Sequence, residues 1–172
     1  MNHSKLEIRE ANLSADIESI RCLWFDYLTW GNNKMQALHG VHPHHPAETV
    51  ALDIAQIDKF LPPYGSLKLA FVNDIACGIG CLKAINNDIG EIKRMYVNRT
   101  YRNIGAGHGI LDALLKDAKT KGYKKVRLDS PKFMEAAHAL YRKMGFNEID
   151  VYPEVEIPED FRQYLIFMEK EI

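Results

Sequence analysis

Apolar and polar residues alternate over Leu6-Glu7-Ile8-Arg9, the two-residue period of a strand with one buried face. Asn12 to Ala15 then supply turn and capping chemistry. From Asp16 onward, Ile17, Ile20, Trp24, Tyr27 and Leu28 recur at spacings of three and four, which puts them on one stripe of a helix. Gly31 to Pro46 breaks that rhythm with Gly, Asn, His and Pro and reads as irregular. A second helix is predicted from about Ala47 to Phe60, stopped by Pro62-Pro63.

Three strands follow: Leu67–Val72, Ile75–Ala84 and Ile89–Val97, joined through Asn73-Asp74 and Asn86-Asn87-Asp88. A glycine-bearing segment, Arg99 to Gly107, leads into a helix with the apolar face Ile110, Leu111, Leu114, Leu115 and Ala118, closed by Gly122. Val126–Asp129 is a short strand stopped by Ser130-Pro131. Phe133, Ala136, Ala137, Leu140, Tyr141 and Met144 mark another helix, with Gly145 placed for a left-handed cap. Phe146–Val151 and Tyr164–Met168 are the last predicted strands, separated by the acidic, Pro-bearing segment Pro153–Asp160. No repeat or linker divides the chain, so the pattern predicts one α+β domain over residues 1–172.

Composition narrows the classes. A chain of 172 residues can bury roughly two thirds of its unfolded surface without a disulfide or metal staple. Lys and Arg total 22 against 23 Asp and Glu, so a nucleic-acid partner, which needs a basic footprint, is not expected. The opening Met1 to Glu10 is charged and lacks the apolar core of a secretory signal, and no segment approaches the roughly 18 apolar residues of a membrane span. A cytoplasmic protein with no membrane partner is expected. Cys22, Cys77 and Cys81 lack disulfide or zinc spacing and read as reduced, mostly buried thiols. His39, His42, His44 and His45 crowd one loop, but the neighbouring prolines and absent Cys or carboxylate spacing favour a solvated or substrate-lining loop, with no metal.

Gly105 and Gly107 stand where a helix begins, and the free N–H groups of a helix start suit a phosphate or pyrophosphate. The pair alone also fits a plain tight turn, and neither the Walker nor the dinucleotide-fold pattern is present. Context adds more. Arg102, Gly105 and Gly107 follow a strand and open a helix, and Leu140-Tyr141 is followed three residues later by Gly145-Phe146. Together these strongly resemble the two signatures of the GNAT N-acetyltransferase superfamily over roughly residues 75–150, and look most like a bacterial-type branch of unassigned acceptor. Met134 stands where many members carry asparagine, which makes the branch that acetylates ribosomal-protein N-termini a poorer match.

The resemblance implies a GNAT fold, a central mixed but mostly antiparallel sheet flanked by helices, and acetyl-CoA as co-substrate. It implies that the backbone of Arg102, Asn103, Ile104, Gly105, Ala106 and Gly107 holds the pyrophosphate. It further implies that the strands Glu91–Val97 and Val126–Asp129 part, and that pantetheine pairs with main chain near Met95 and Val97. Lys119, Lys121, Lys124 and Lys125 form a basic cluster that either faces the adenosine phosphates or is a solvated helix end, the reading preferred on the helix dipole. Tyr141 matches the family tyrosine that protonates the departing thiolate, although its spacing also fits a core aromatic. Glu91 matches the position of a general-base glutamate; a salt bridge or an ammonium anchor explains it equally well.

Strand alternation puts Glu91, Lys93, Met95 and Val97 on one face and Ile92, Arg94 and Tyr96 on the other. Arg94 or Arg127 could grip a substrate carboxylate and Asp129 an ammonium, while an Arg–Asp structural pair is the simpler account of the same residues. The expected activity is acetyl transfer to an amine of a small molecule, by direct attack in a ternary complex. A protein or peptide acceptor and a non-enzymatic acyl-CoA-binding module are the alternatives. The length of Gly31–Pro46 and Pro153–Asp160, which would cap a pocket, favours the small acceptor. Pairing of terminal strands into a homodimer is a further expectation.

Overall fold

The computed structural model describes residues 5–172; Met1–Ser4, part of the charged opening, lie outside the described residues. Its strands are β1 (Leu6–Glu10), β2 (Ser66–Val72), β3 (Ile75–Ala84), β4 (Ile89–Val97), β5 (Lys125–Pro131), β6 (Asn147–Ile149) and β7 (Leu165–Glu171). They form one sheet in the order β1-β2-β3-β4-β5-β7-β6. Neighbours are antiparallel except β4 and β5, which run parallel. The hairpin turn between β2 and β3 is tight because Asn73 and Asp74 both take left-handed backbone, with φ of 49° and 64°, which these short polar side chains tolerate.

Among the described residues five helices flank the sheet: α1 (Leu13–His39), α2 (Pro46–Ala55), α3 (Ala106–Thr120), α4 (Glu135–Lys143) and the single turn α5 (Glu159–Arg162). On one side, Ile20, Leu23, Trp24 and Leu28 of α1 and Val50 of α2 bury against Leu67, Leu69, Ile79 and Tyr96. On the other, Ile110, Leu111 and Leu114 of α3, with Tyr141 and Phe146, cover Ala70, Leu82, Ile92, Val126 and Leu128. A smaller cluster of Tyr152, Val155 and Phe167 closes the β6–β7 half.

The start of α1 follows the sequence closely. The Asn12 side chain accepts from the Ser14 N–H, and the Asp16 carboxylate accepts from the Asn12 N–H at 2.7 Å while pairing with Arg9 of β1. Its end does not. The helix continues through Gly31-Asn32-Asn33 to His39, so the expected loop shrinks to residues 40–45. A mid-helix glycine costs about 1 kcal/mol relative to alanine, and here burial of Met35 outweighs it. Asn32, also buried, uses its side chain elsewhere. Its amide donates to the His44 carbonyl at 2.6 Å and its oxygen accepts from the His44 N–H at 3.1 Å. The predicted second helix is α2 followed by a 3-10 turn, Ile57–Phe60. The acidic segment contains α5, which the prolines concealed. Cys77 and Cys81 are buried, whereas Cys22, expected to be mostly buried, is exposed. Among the described residues no helix is long and apolar enough to cross a membrane.

Candidate active site

Two irregularities of β4 create the site. The first is its pairing with β5, which runs only from Ile89↔Lys125 to Glu91↔Arg127 before the strands part. The second is a β-bulge. The β3 register passes from Ile79↔Tyr96 to Cys81↔Lys93, and Arg94 takes φ of 53°, a conformation that costs a non-glycine residue on the order of 1 kcal/mol. The extra residue resets the alternation, so the expected facing is corrected. Ile92, Met95 and Val97 all pack toward α3, while Tyr96 packs toward α1 and Arg94 pairs with Asp53 of α2. Glu91 and Lys93 therefore do not share a face with Met95 and Val97.

The gap between the parting strands opens into a cavity of about 410 Å³. Met95 and Val97 form one wall, Arg102, Asn103 and Gly105–His108 another, and Phe133–Ala137 with Leu140 and Tyr141 a third; Trp30 of α1 reaches in from the opposite layer. Ile104 is the one residue of Arg102–Gly107 that is not part of the wall, and it is largely exposed. Asn103 (φ 65°) and Gly105 (φ 88°) turn the chain so that it enters α3 without a side-chain cap. Among the described residues, the N–H groups of Asn103 through His108 find no protein acceptor, the condition for an anion cradle at a helix start. The Lys119–Lys125 cluster lies at the other end of this 15-residue helix, on the order of 20 Å away. There Lys121 donates to the Pro63 carbonyl, Lys124 pairs with Asp88 and Lys125 with Glu169.

Tyr141 is 5% exposed and sits on the cavity wall. Its hydroxyl makes no hydrogen bond within the described residues, and burial pushes its pKa up, so it holds its proton throughout the neutral range. Aromatic rings continue from it: Trp30 packs edge-on to Phe133 at 5.4 Å, and Tyr96 lies 6.2 Å from Trp30 and 5.9 Å from Tyr27. The Arg102 guanidinium rests 5.0 Å above the Trp30 ring while its Nε donates to the Val97 carbonyl. Trp30 and Phe133 are cavity residues that the sequence reading did not single out. Phe133 falls on the apolar stripe predicted for its helix, and nothing in the sequence pattern marks Trp30.

On the α1 side of the sheet a chain of charges crosses the strands. Glu156 pairs with Lys83, Lys83 with Glu91 at 3.4 Å, Glu91 with Lys93 at 3.1 Å and Lys93 with Asp129 at 2.6 Å. Burial alone would depress the Lys93 pKa, but Asp129 and Glu91 together outweigh it and hold the ammonium protonated. Glu91 is fully buried, accepts from the Tyr152 hydroxyl at 2.7 Å and is not among the residues that wall the cavity. Arg127 is taken up by Glu169 and Glu154, away from the cavity. Arg94 is held by Asp53 through Nε and Nη2, both at 2.7 Å, and that carboxylate outweighs the burial that would otherwise lower its pKa. The Arg–Asp structural pairing left open by the sequence thus describes Arg94, though with Asp53 as its partner. Asp129 lies beyond the point of parting and near enough to Tyr141 for its charge to help raise that hydroxyl's pKa.

Residues 24–146 match the model of the Acetyltransferase (GNAT) family. The chain belongs to this family. A curated relative, the uncharacterized N-acetyltransferase YsnE of Bacillus subtilis, is 26% identical over 137 residues, 78% of this chain and 87% of YsnE. The uncharacterized N-acetyltransferase DDB_G0290199 of Dictyostelium discoideum is 34% identical over 64 residues, 37% of this chain and only 30% of that protein. Among solved structures, an acetyltransferase from Streptococcus agalactiae superposes with a TM-score of 0.75 at 19% identity, over 97% of this chain and 98% of its own. PaiA N-acetyltransferase from Thermoplasma acidophilum, solved with coenzyme A, superposes at 0.71 with 21% identity, over 98% and 99%. These structural likenesses establish the GNAT fold. Read on this GNAT chain, the unpaired amides of Asn103–His108 and the parted strands fit a long acyl-CoA, with its phosphates at the α3 start. Among the described residues no group of His, Cys, Asp and Glu is arranged to hold a metal ion.

Proposed function

We propose that the protein acetylates an amine of a small molecule by direct attack on acetyl-CoA in a ternary complex. The observation that supports this best is one cavity joining the free amides of Asn103–His108 to the Tyr141 hydroxyl. The co-substrate supplies an activated acetyl group as a thioester. The cradle binds the pyrophosphate through backbone donors at a positive helix end, which explains affinity for an anion in a chain of net charge −1. Main chain at Met95 and Val97, freed from β5 by the parting, offers pairing to the pantetheine arm. Tyr141, protonated and without a protein partner, donates its proton to the leaving thiolate.

An alkylamine with a pKa near 10 arrives mostly protonated. Asp129 receives that ammonium and lets a proton pass to water. Glu91, notwithstanding its match to a family base, acts one step removed by holding Lys93, which fixes Asp129. Arg94 orients the acceptor through its remaining guanidinium edge.

A small acceptor is supported by the way residues 40–45 and the β6–β7 connection meet over the α1 side. The His39 ring packs 4.4 Å from Tyr164 and ties the end of α1 to that connection. Free thiols at Cys22, Cys77 and Cys81 suit a reducing, cytoplasmic compartment.

The test is thiol release from acetyl-CoA across a panel of small amines and peptides, with wild type and Tyr141→Phe. Turnover on a small amine, lowered about 10²–10⁴-fold in the variant with acetyl-CoA affinity retained, is the expected result. Binding of acetyl-CoA without turnover on any amine would replace the enzyme reading with a binding module.

A further inference from the structure

The parting of β4 from β5 leaves the end of β4 with backbone groups that face no strand. Gly78 of β3 stands opposite Val97, and the Asn98 N–H donates to the Cys77 carbonyl at 2.8 Å. In an antiparallel ladder a bond at those positions makes Gly78 and Val97 a non-hydrogen-bonded pair, so the N–H and C=O of Val97 point away from β3. They point toward the side of β5, which pairs with β4 only as far as Glu91↔Arg127.

One side chain reaches that edge. The Arg102 Nε donates to the Val97 carbonyl at 3.3 Å, and the guanidinium carbon lies 5.0 Å over the Trp30 ring. Val97, Arg102 and Trp30 all wall the cavity that Tyr141 also walls. We infer that the Arg102 side chain and the pantetheine arm of acyl-CoA are alternative occupants of one place, the Val97 carbonyl beside the Trp30 ring, and that the arriving arm swings Arg102 off both. The inference rests on the acyl-CoA reading of the cleft. It adds a residue that sets co-substrate affinity by competition and passes occupancy of the cleft to α1.

Chemistry makes Arg102 a displaceable occupant. A strand-end carbonyl is costly to leave unpaired, and a guanidinium N–H satisfies it. The bond is nevertheless longer than most N–H···O bonds, and the cation–π contact is made by an exposed arginine, where such contacts are weakest. Among the described residues no carboxylate holds this guanidinium, whereas those of Arg9, Arg94, Arg127 and Arg142 are each held by one. The pantetheine arm carries amide N–H donors, which suit the same oxygen.

The contact also joins two layers of the fold. Trp30 is the wall residue that α1 contributes, on the side of the sheet opposite α3. Its ring meets Phe133 edge-on at 5.4 Å and Tyr96 at 6.2 Å. Lifting the guanidinium from its face uncovers a flat aromatic surface there, so the α1 layer changes when the cleft is occupied.

The experiment titrates the full chain with pantetheine, which carries the arm without the phosphates, and separately with coenzyme A. NMR follows the Arg102 Nε–H and the Trp30 indole N–H, assigned by their loss in Arg102→Ala and Trp30→Phe. On saturation with either ligand the Arg102 Nε–H signal should move to the position, and take on the fast water exchange, of an unbonded arginine. Pantetheine should bind Arg102→Ala about three- to tenfold more tightly than wild type, because the variant has no side chain to displace. In that variant the Trp30 signal should shift much less on binding than it does in wild type. Coenzyme A bound with the Arg102 Nε–H signal unmoved, or pantetheine bound no more tightly by Arg102→Ala, overturns the inference and leaves the acyl-CoA reading standing. No saturable binding of coenzyme A to the wild type overturns both.

Discussion

Replacing Glu91 by Gln separates a catalytic base from a positioning residue. The carboxylate is fully buried, with Tyr152 Oη at 2.7 Å and Lys93 Nζ at 3.1 Å from Oε1, and Lys83 Nζ at 3.4 Å from Oε2. At an effective dielectric constant near 20, unit charges at these separations attract by about 5 kcal/mol each. Several kcal/mol of that is offset by taking the carboxylate out of water. Gln keeps the shape and an oxygen for Tyr152 but leaves two lysines, each about one-tenth exposed, with one carboxylate fewer. Removing one partner of a buried pair costs about 3–5 kcal/mol. Lys93 retains Asp129 and Lys83 retains Glu156, so the low end, about 3 kcal/mol, is expected.

Urea unfolding at pH 7 measures it, with Tyr152→Phe as the companion variant, itself costing about 1.5–3 kcal/mol for a hydrogen bond to a charged group. The double variant should lose less than the sum, because both changes remove one contact. Activity should fall through displacement of Asp129, while the rising limb of the pH–rate profile stays in place. A Glu91→Gln protein of wild-type stability whose rising limb has vanished would refute this reasoning and make Glu91 the base.

Other consequences are open to equally direct measurement. Gly105→Ala forces a side chain onto φ 88°, costing about 1–2 kcal/mol; calorimetry should find acetyl-CoA binding several-fold weaker, and unchanged affinity would remove this turn from the cradle. His138, buried with Nε2 3.0 Å from Ser130 Oγ, has its pKa lowered by burial and then by Arg142. Its stabilisation is complete above the unfolded value near 6.5 and is lost as pH falls through the lower folded value. His44 contributes with the same sign, so His138→Gln should flatten, without abolishing, the fall in urea midpoint between pH 7.5 and 5.5; parallel curves would contradict the assignment. Acetyl-CoA should alter tryptophan fluorescence through Trp30, against which Arg102 lies, and not through fully buried Trp24. Trp30→Phe should abolish the response, and its survival would place the reporter elsewhere.

What the sequence disclosed follows physical range. Asn12, Gly105, Gly122 and Gly145 act within a turn or two of themselves, and each stands at the cap or turn expected of it. The turn at Gly105 and the helix that carries Tyr141 to the cavity wall were legible because their motifs are short and stand at fixed offsets. The bulge was not: Arg94 at positive φ carries no local mark, and one extra residue reversed the facing of Met95 and Val97. The charge chain was hidden for another reason. Glu91 meets Tyr152 and Lys93 meets Asp129 across 61 and 36 residues of chain, separations at which no spacing rule operates. Gly31-Asn32 failed as a helix stop because Asn32 spends its side chain on His44 rather than on its own backbone.

The most direct measurement is backbone amide NMR of the full chain titrated with acetyl-CoA. The largest shifts are expected at Asn103–His108 and at Met95–Val97, with Tyr141 following and Lys119–Lys125 nearly still. Saturable shifts centred on the Lys119–Lys125 end of α3, with Asn103–His108 unmoved, would contradict the assignment of this cleft.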